Sequence, residues 1–74
     1  VSEVLTDGIH LVCADDEALH RFARGIGLRR SWFQSGRFPH YDLTSERMVT
    51  RALKAGACRV ESRELVRLMR RGAA

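Results

Sequence analysis

Six residues, Ile9-His10-Leu11-Val12-Cys13-Ala14, stand between Gly8 and the acidic triplet Asp15-Asp16-Glu17. The run does not alternate cleanly between apolar and polar, which is the pattern of a strand covered on both faces. At Asp15 the period changes from strand to helix. Asp15 is placed to cap free backbone N–H groups, and Asp16 and Glu17 suit the positive end of a helix dipole. Ala18, Leu19, Phe22, Ala23 and Ile26 then recur at three- and four-residue steps, giving one apolar stripe. Gly25 and Gly27 end it. A doubly covered strand followed at once by an amphipathic helix is the building unit of α/β folds.

The rest of the chain repeats that logic around an irregular centre. Residues 28–43 contain Pro39 and the turn-formers Gln34, Ser35 and Gly36, with Tyr41-Asp42-Leu43 as a brief strand. Thr44-Ser45-Glu46 starts a second helix, with the stripe Met48, Val49, Ala52 and Leu53, and Gly56 stops it. Ala57–Glu61 is the next strand. Ser62 is expected to cap a last helix with Leu65, Val66, Leu68 and Met69 on its apolar side. The expected architecture is a small single α/β domain, β-α-(β)-α-β-α, with three helices and a two- or three-stranded, mostly parallel sheet. Residues 1–8 are expected as an N-terminal tail or edge strand and residues 9–72 as the domain.

A length of 74 residues allows one domain, and so short a chain buries only roughly 60% of its unfolded surface. No apolar run is long enough to span a membrane and no signal peptide is visible, so a cytoplasmic protein without membrane association is expected. Cys13 and Cys58 are too far apart for a close-spaced metal or redox motif and are expected as buried small hydrophobes. So thin a sheet leaves a free edge that invites a homodimer.

Charge narrows the function. Thirteen cations, twelve of them arginine, face nine acids for a net +4. Arg29, Arg30 and Arg37 are interleaved with Trp32, Phe33, Phe38 and Tyr41. Guanidinium groups hold phosphates and aromatic faces stack bases, so this stretch suits a nucleotide or single-stranded nucleic acid. The competing reading folds Phe33 and Phe38 inward to complete the core. Arg47, Arg51 and Lys54 share a face of the second helix, and Arg63, Arg67, Arg70 and Arg71 gather on the third. Two basic helices on one side of a sheet make an electrostatic footprint for phosphate, although basic stripes are common and the favoured reading is a solvated face.

The other chemical signal is His40-Tyr41-Asp42 with His10. Ligands of open α/β sheets collect where strands end and helices begin, and this triplet directly precedes the second helix. A histidine beside an aspartate is a general base, with tyrosine as donor. The structural alternative has Asp42 helping to cap the helix and the rings packing under the loop. Asp16 and His20 stand four apart, and with His10 and His40 they form a loose metal pattern. Spacing so free implies no metal, and no cofactor is expected.

The motifs His10-Leu11-Val12, Leu19-His20, Ile26-Gly27, His40-Tyr41-Asp42-Leu43, Lys54-Ala55-Gly56-Ala57 and Ser62-Arg63-Glu64-Leu65-Val66 together resemble the bacterial and phage family called domain of unknown function 4031. The resemblance covers roughly residues 9–70, and its most specific element is the His-Tyr-Asp triplet about twenty residues after the Leu-His pair. It implies a short α/β protein of actinobacteria or their phages and no particular activity. The arginine excess fits a GC-rich genome of that kind. At its start the chain departs from the family pattern, in which a strand ending in Asp leads into a longer Pro- and Gly-containing loop. Here only Val4-Leu5-Thr6-Asp7-Gly8 precedes Ile9 and His10.

Two classes of function fit. The leading expectation is a non-enzymatic binding module for a phosphate-bearing ligand, nucleic acid or nucleotide, using His40, Tyr41, Asp42, Trp32, Arg47 and Arg51. The alternative is a small hydrolase or transferase acting on phosphate esters, with His40 or His10 as base and Asp42 orienting it. A phage or host protein-interaction domain, with the aromatic stretch as its contact surface, is the third.

Overall fold

Val4–Thr6 forms β1 and His10–Cys13 forms β2, and only Asp7-Gly8-Ile9 joins them. A connection that short permits only antiparallel pairing, and Val4 lies opposite Cys13, Leu5 opposite Val12 and Thr6 opposite Leu11. The computed structural model that shows this describes residues 3–73, with side chains through residue 70. Gly8 turns the chain with φ +96, a conformation open to glycine at little cost. Asp7 Oδ1 accepts the backbone N–H of Ile9 at 2.9 Å and of His10 at 2.8 Å, while Thr6 Oγ1 accepts that of Gly8 at 3.0 Å.

Helix α1, Asp16–Gly25, begins as its sequence dictates, with the Asp15 side chain accepting from the Glu17 N–H. A turn of 3₁₀ helix at Arg30–Trp32 follows. The chain then makes an excursion closed by Gln34 and His40, which exchange backbone hydrogen bonds of 2.9 and 3.1 Å. Tyr41–Asp42 is β3, α2 is Glu46–Lys54 with Ser45 as its cap, β4 is Cys58–Arg59, and α3 is Ser62–Ala73.

The α/β class and the three helices are as expected, but the sheet has four strands in the order β3-β2-β1-β4. Nor is it mostly parallel: β1 with β4 is parallel, whereas β1 with β2 and β2 with β3 are antiparallel. The reason is geometric. The hairpin forces the first pair, and residues 26–40 carry the chain back along the sheet after α1, so Tyr41 enters against the direction of β2. The stretch expected as a tail or edge strand is therefore interior, bonded on both sides; residues 1 and 2 lie outside the described residues.

One face of the sheet carries Val4, Leu11, Cys13, Tyr41 and Leu43, which join Leu19, Ala23, Ile26, Leu28, Ala52 and Ala57 in the main core. Helices α1 and α2 cover this face. Leu5, His10, Val12, His40 and Asp42 point the other way, since strand side chains alternate, and there buried Val12 meets α3 through Leu65, Val66 and Met69. The basic faces of α2 and α3 thus lie on opposite sides of the sheet and do not merge into one footprint. Arg71 of the expected stripe lies outside the described side chains. Cys13 is buried as expected, but Cys58 is exposed; Ala57 takes the core position, so its neighbour faces out. Among the described residues no helix is long and apolar enough to cross a membrane.

Ser62 does not spend its hydroxyl on capping α3. It donates instead to Asp7 Oδ2 at 2.8 Å, beside a 3.0 Å bond from His10 Nδ1 to the same oxygen. Burial pushes the Asp7 carboxyl upward, but the donors from His10, Ser62 and Ile9 outweigh it and hold it well below the usual carboxylate range. Since the folded value lies below the ordinary 3.8, the stability this group contributes is complete above that pH and is lost as pH falls through 3.8 towards the folded value. Asp7→Asn should cost about 1–3 kcal/mol at pH 7, and urea unfolding at falling pH should show the gap to wild type closing below about pH 4. Leu11, wholly buried, should cost about 2–5 kcal/mol on truncation to Ala. Ile9→Ala, at 57% exposure, should stay within about 0.5 kcal/mol in the same assay.

Candidate functional site

The second face of the sheet holds a cleft of about 230 Å³ between the strands and α3. Its walls are Val12, Phe38, Leu65, Val66 and Met69, and its polar groups are Asp7, His10, His40 and Ser62. The register explains why these groups meet. His10 on β2 lies directly opposite Asp42 on β3, and His40, two residues before Asp42 in an extended segment, points to the same side.

The hydrogen bonds fix how the rings are presented. His10 Nδ1 donates to Asp7, whose side chain is only 2% exposed. His40 Nδ1 donates to the Phe38 carbonyl at 2.7 Å, and a carbonyl only accepts, so the proton sits on Nδ1. That leaves His40 Nε2 facing Asp42 Oδ1 at 3.2 Å. The other Asp42 oxygen accepts from the Gln34 side-chain amide. The two imidazole rings meet edge to face with centroids 5.3 Å apart.

Tyr41 is not part of this cluster. Strand alternation turns it to the opposite face, where it is buried and its hydroxyl shares a 2.7 Å hydrogen bond with His20 Nδ1. Burial raises the Tyr41 phenol above its ordinary value, against the opposing pull of Arg30. Phe33 packs on both partners, 4.5 Å from the His20 ring and 5.3 Å from that of Tyr41. Phe33 does fold inward, and Phe38 lines the cleft. With His20 engaged on α1's side of the sheet, the loose pattern of Asp16 and His20 with His10 and His40 does not assemble.

On α1's side a second groove, about 490 Å³, runs over this Tyr41–His20 pair. Arg21, Arg24, Arg29 and Arg30 line it with Glu17 and Leu28. Among the described residues none of the four is in a salt bridge, while Arg29 stacks over Trp32 at 5.9 Å from the ring centroid. Trp32 is 52% exposed and borders a neighbouring depression shared with Gln34, Asp42, Thr44 and Met48. Arg47 is exposed and lines neither the cleft nor the groove. Arg51 Nη1 donates to the Ile26 carbonyl at 3.2 Å, satisfying the end of α1. The expected constellation is therefore divided: His10, His40 and Asp42 come together, Tyr41 turns to the other face, Trp32 borders a depression that Asp42 also lines, and Arg51 is engaged by the Ile26 carbonyl.

Asp7, Gln34, Arg21 and Arg24 are the participants that periodicity does not single out. Asp7 had a signal, because Asp-Gly between two apolar runs marks a tight hairpin, and that hairpin brings Asp7 beside His10. Gln34 and the α1 arginines had none: the bridge with His40 brings Gln34 to Asp42, and Arg21 and Arg24 share a groove with Arg29 and Arg30 only because the segment after α1 folds back beside it.

No curated protein and no solved structure matches the chain. Residues 6–72 match the family described as Protein of unknown function (DUF4031). That span runs from the last residue of β1 to near the end of α3, with Asp7, His10, His40 and Asp42 all inside it, and the chain is a member of this family.

Proposed function

We propose that the protein is a binding module for a phosphate-bearing ligand, a nucleotide or a nucleic acid. The observation that carries this reading is the groove over Tyr41, where Arg21, Arg24, Arg29 and Arg30 converge against a single acid, Glu17. Four guanidinium groups at one groove repel one another, and an anion relieves that cost. Planar N–H forks suit phosphate oxygens. Trp32, exposed beside Arg29, offers a face on which a base can stack. The anion site is thus moved from Arg47 and Arg51 to the arginines of α1 and the segment after it.

A second reading, a hydrolase or transferase on phosphate esters, draws on the His40 Nε2–Asp42 Oδ1 pair. It lacks an anion site of its own, because among the described residues no arginine lines the cleft that His40 borders. If it is right, His40→Ala abolishes phosphate-ester turnover and leaves Tm nearly unchanged.

Trp32 is the sole tryptophan, so its fluorescence reports binding directly. Titration with a nucleoside triphosphate and with a short single-stranded oligonucleotide at low salt should quench or shift the emission. Arg29→Ala with Arg30→Ala should weaken binding at least about ten-fold and lower the salt slope for the oligonucleotide by about 0.7 per lost phosphate contact. Arg47→Ala should change little. No detectable binding to either probe, or binding indifferent to Arg29 and Arg30, defeats the proposal.

A further inference from the structure

The arginine groove leaves the polar cluster in the α3 cleft without a task. One ligand atom from each of His10, His40 and Asp42 lies within 4.8 Å of the other two. We propose that these three residues bind a single divalent transition-metal cation of the zinc class, through His10 Nε2, His40 Nε2 and an Asp42 oxygen.

The argument rests on what stands behind each ligand. Histidines that bind metals donate their other ring N–H to a carboxylate or a carbonyl, which fixes the tautomer and aims the free nitrogen. His10 Nδ1 does this to Asp7 at 3.0 Å and His40 Nδ1 to the Phe38 carbonyl at 2.7 Å. Asp42 is held from behind by the Gln34 amide. Asp7 is itself steadied by Ser62. A histidine–aspartate ion pair would need one ring. Here two rings approach edge to face with centroids 5.3 Å apart, both with Nδ1 engaged elsewhere.

The donor set is two imidazoles and one carboxylate, which suits zinc and its first-row neighbours rather than magnesium or calcium. Bonds of about 2.0–2.2 Å at tetrahedral angles put ligand atoms about 3.3–3.6 Å apart. His40 Nε2 and Asp42 Oδ1 already stand 3.2 Å apart, and from separations within 4.8 Å binding draws the His10 ring in by up to about 1.4 Å. Three protein ligands leave a coordination position for water or for a ligand in the cleft. This site is on the opposite face of the sheet from the arginine groove and does not depend on the phosphate reading.

The test is titration of the metal-free chain with zinc(II) by calorimetry, and with cobalt(II) by visible absorption. Both are done in a Cys58→Ser background, because an exposed thiol is itself a zinc ligand. Expected are one ion per chain, a cobalt ligand-field spectrum that saturates at that ratio, and a rise in Tm. Asp42→Asn and His40→Ala should each lower affinity at least about ten-fold, and Asp7→Asn, which touches no ion, by about 10–100-fold. Asp16→Asn should leave binding unchanged. Far-UV circular dichroism of each metal-free variant separates loss of the site from loss of the fold, and the near-isosteric Asp42→Asn carries the test should His40→Ala not fold. Absence of saturable binding, or binding that Asp42→Asn leaves intact, overturns the proposal.

Discussion

Asp7 is the group on which the arrangement depends. A carboxylate 2% exposed is costly to bury unless its lone pairs are filled, and here four donors fill them: two backbone N–H groups, the His10 ring and the Ser62 hydroxyl. These donors come from the turn, from β2 and from the start of α3. One side chain therefore sets the hairpin, orients a ring in the cleft and anchors the helix that closes it. Gly8 completes the turn. An added Cβ there would meet Arg59 Nη2 at 2.8 Å, so the residue is held both by its positive φ and by the guanidinium lying over it.

Once the hairpin is set, strand period decides the rest. A shift of one residue in the pairing of β2 would turn Leu11 and Cys13 out of the core and His10 into it. With the register as it stands, β3 works as a divider. His40 lines the α3 cleft and Asp42 meets it from the sheet edge, where it also lines the Trp32 depression, while Tyr41 between them faces the core and His20. Three adjacent polar residues thus fall into two groups of different chemistry, one of imidazole and carboxylate, the other of phenol and imidazole with arginines around it.

How much of this was legible follows from the range of each interaction. The starts of α1 and α2 depend on caps one to three residues away, Asp15 on Glu17 and Ser45 on Met48, and both were readable. So was the brief strand at Tyr41-Asp42. The sheet order was not, because it depends on where residues 26–40 return the chain. A tail and an edge strand are both compatible with residues 1–8 taken alone, and neither fixes the direction of β1's neighbours; only the pairing on both sides of β1 does. Ser62 looked like a cap because serine before an apolar stripe usually is one. Its actual partner lies 55 residues earlier. His10, His40 and Asp42 were recognised as chemically capable, but the spacing of 10, 40 and 42 carries no metal pattern; only the cross-strand pairing of His10 with Asp42 creates the cluster.

The same sorting gives the arginine excess a structural meaning. Genome composition accounts for a count and says nothing about position. Several arginines are occupied within the fold: Arg51 on the Ile26 carbonyl, Arg59 over Gly8, Arg67 with Glu64 at 3.6 Å, and Arg37 over the Phe38 ring. Exposed pairs such as Arg67–Glu64 contribute little stability, so they are solvated faces in effect. Arg21, Arg24 and Arg30 have no such occupation among the described residues, and Arg29 is stacked on the exposed Trp32. These four stand around one groove, and the phosphate-ligand proposal rests on that clustering. Arg47, Lys54, Arg63 and Arg70 are exposed too, on α2 and α3, so what sets these four apart is a shared groove over Tyr41 beside the exposed Trp32, not exposure alone.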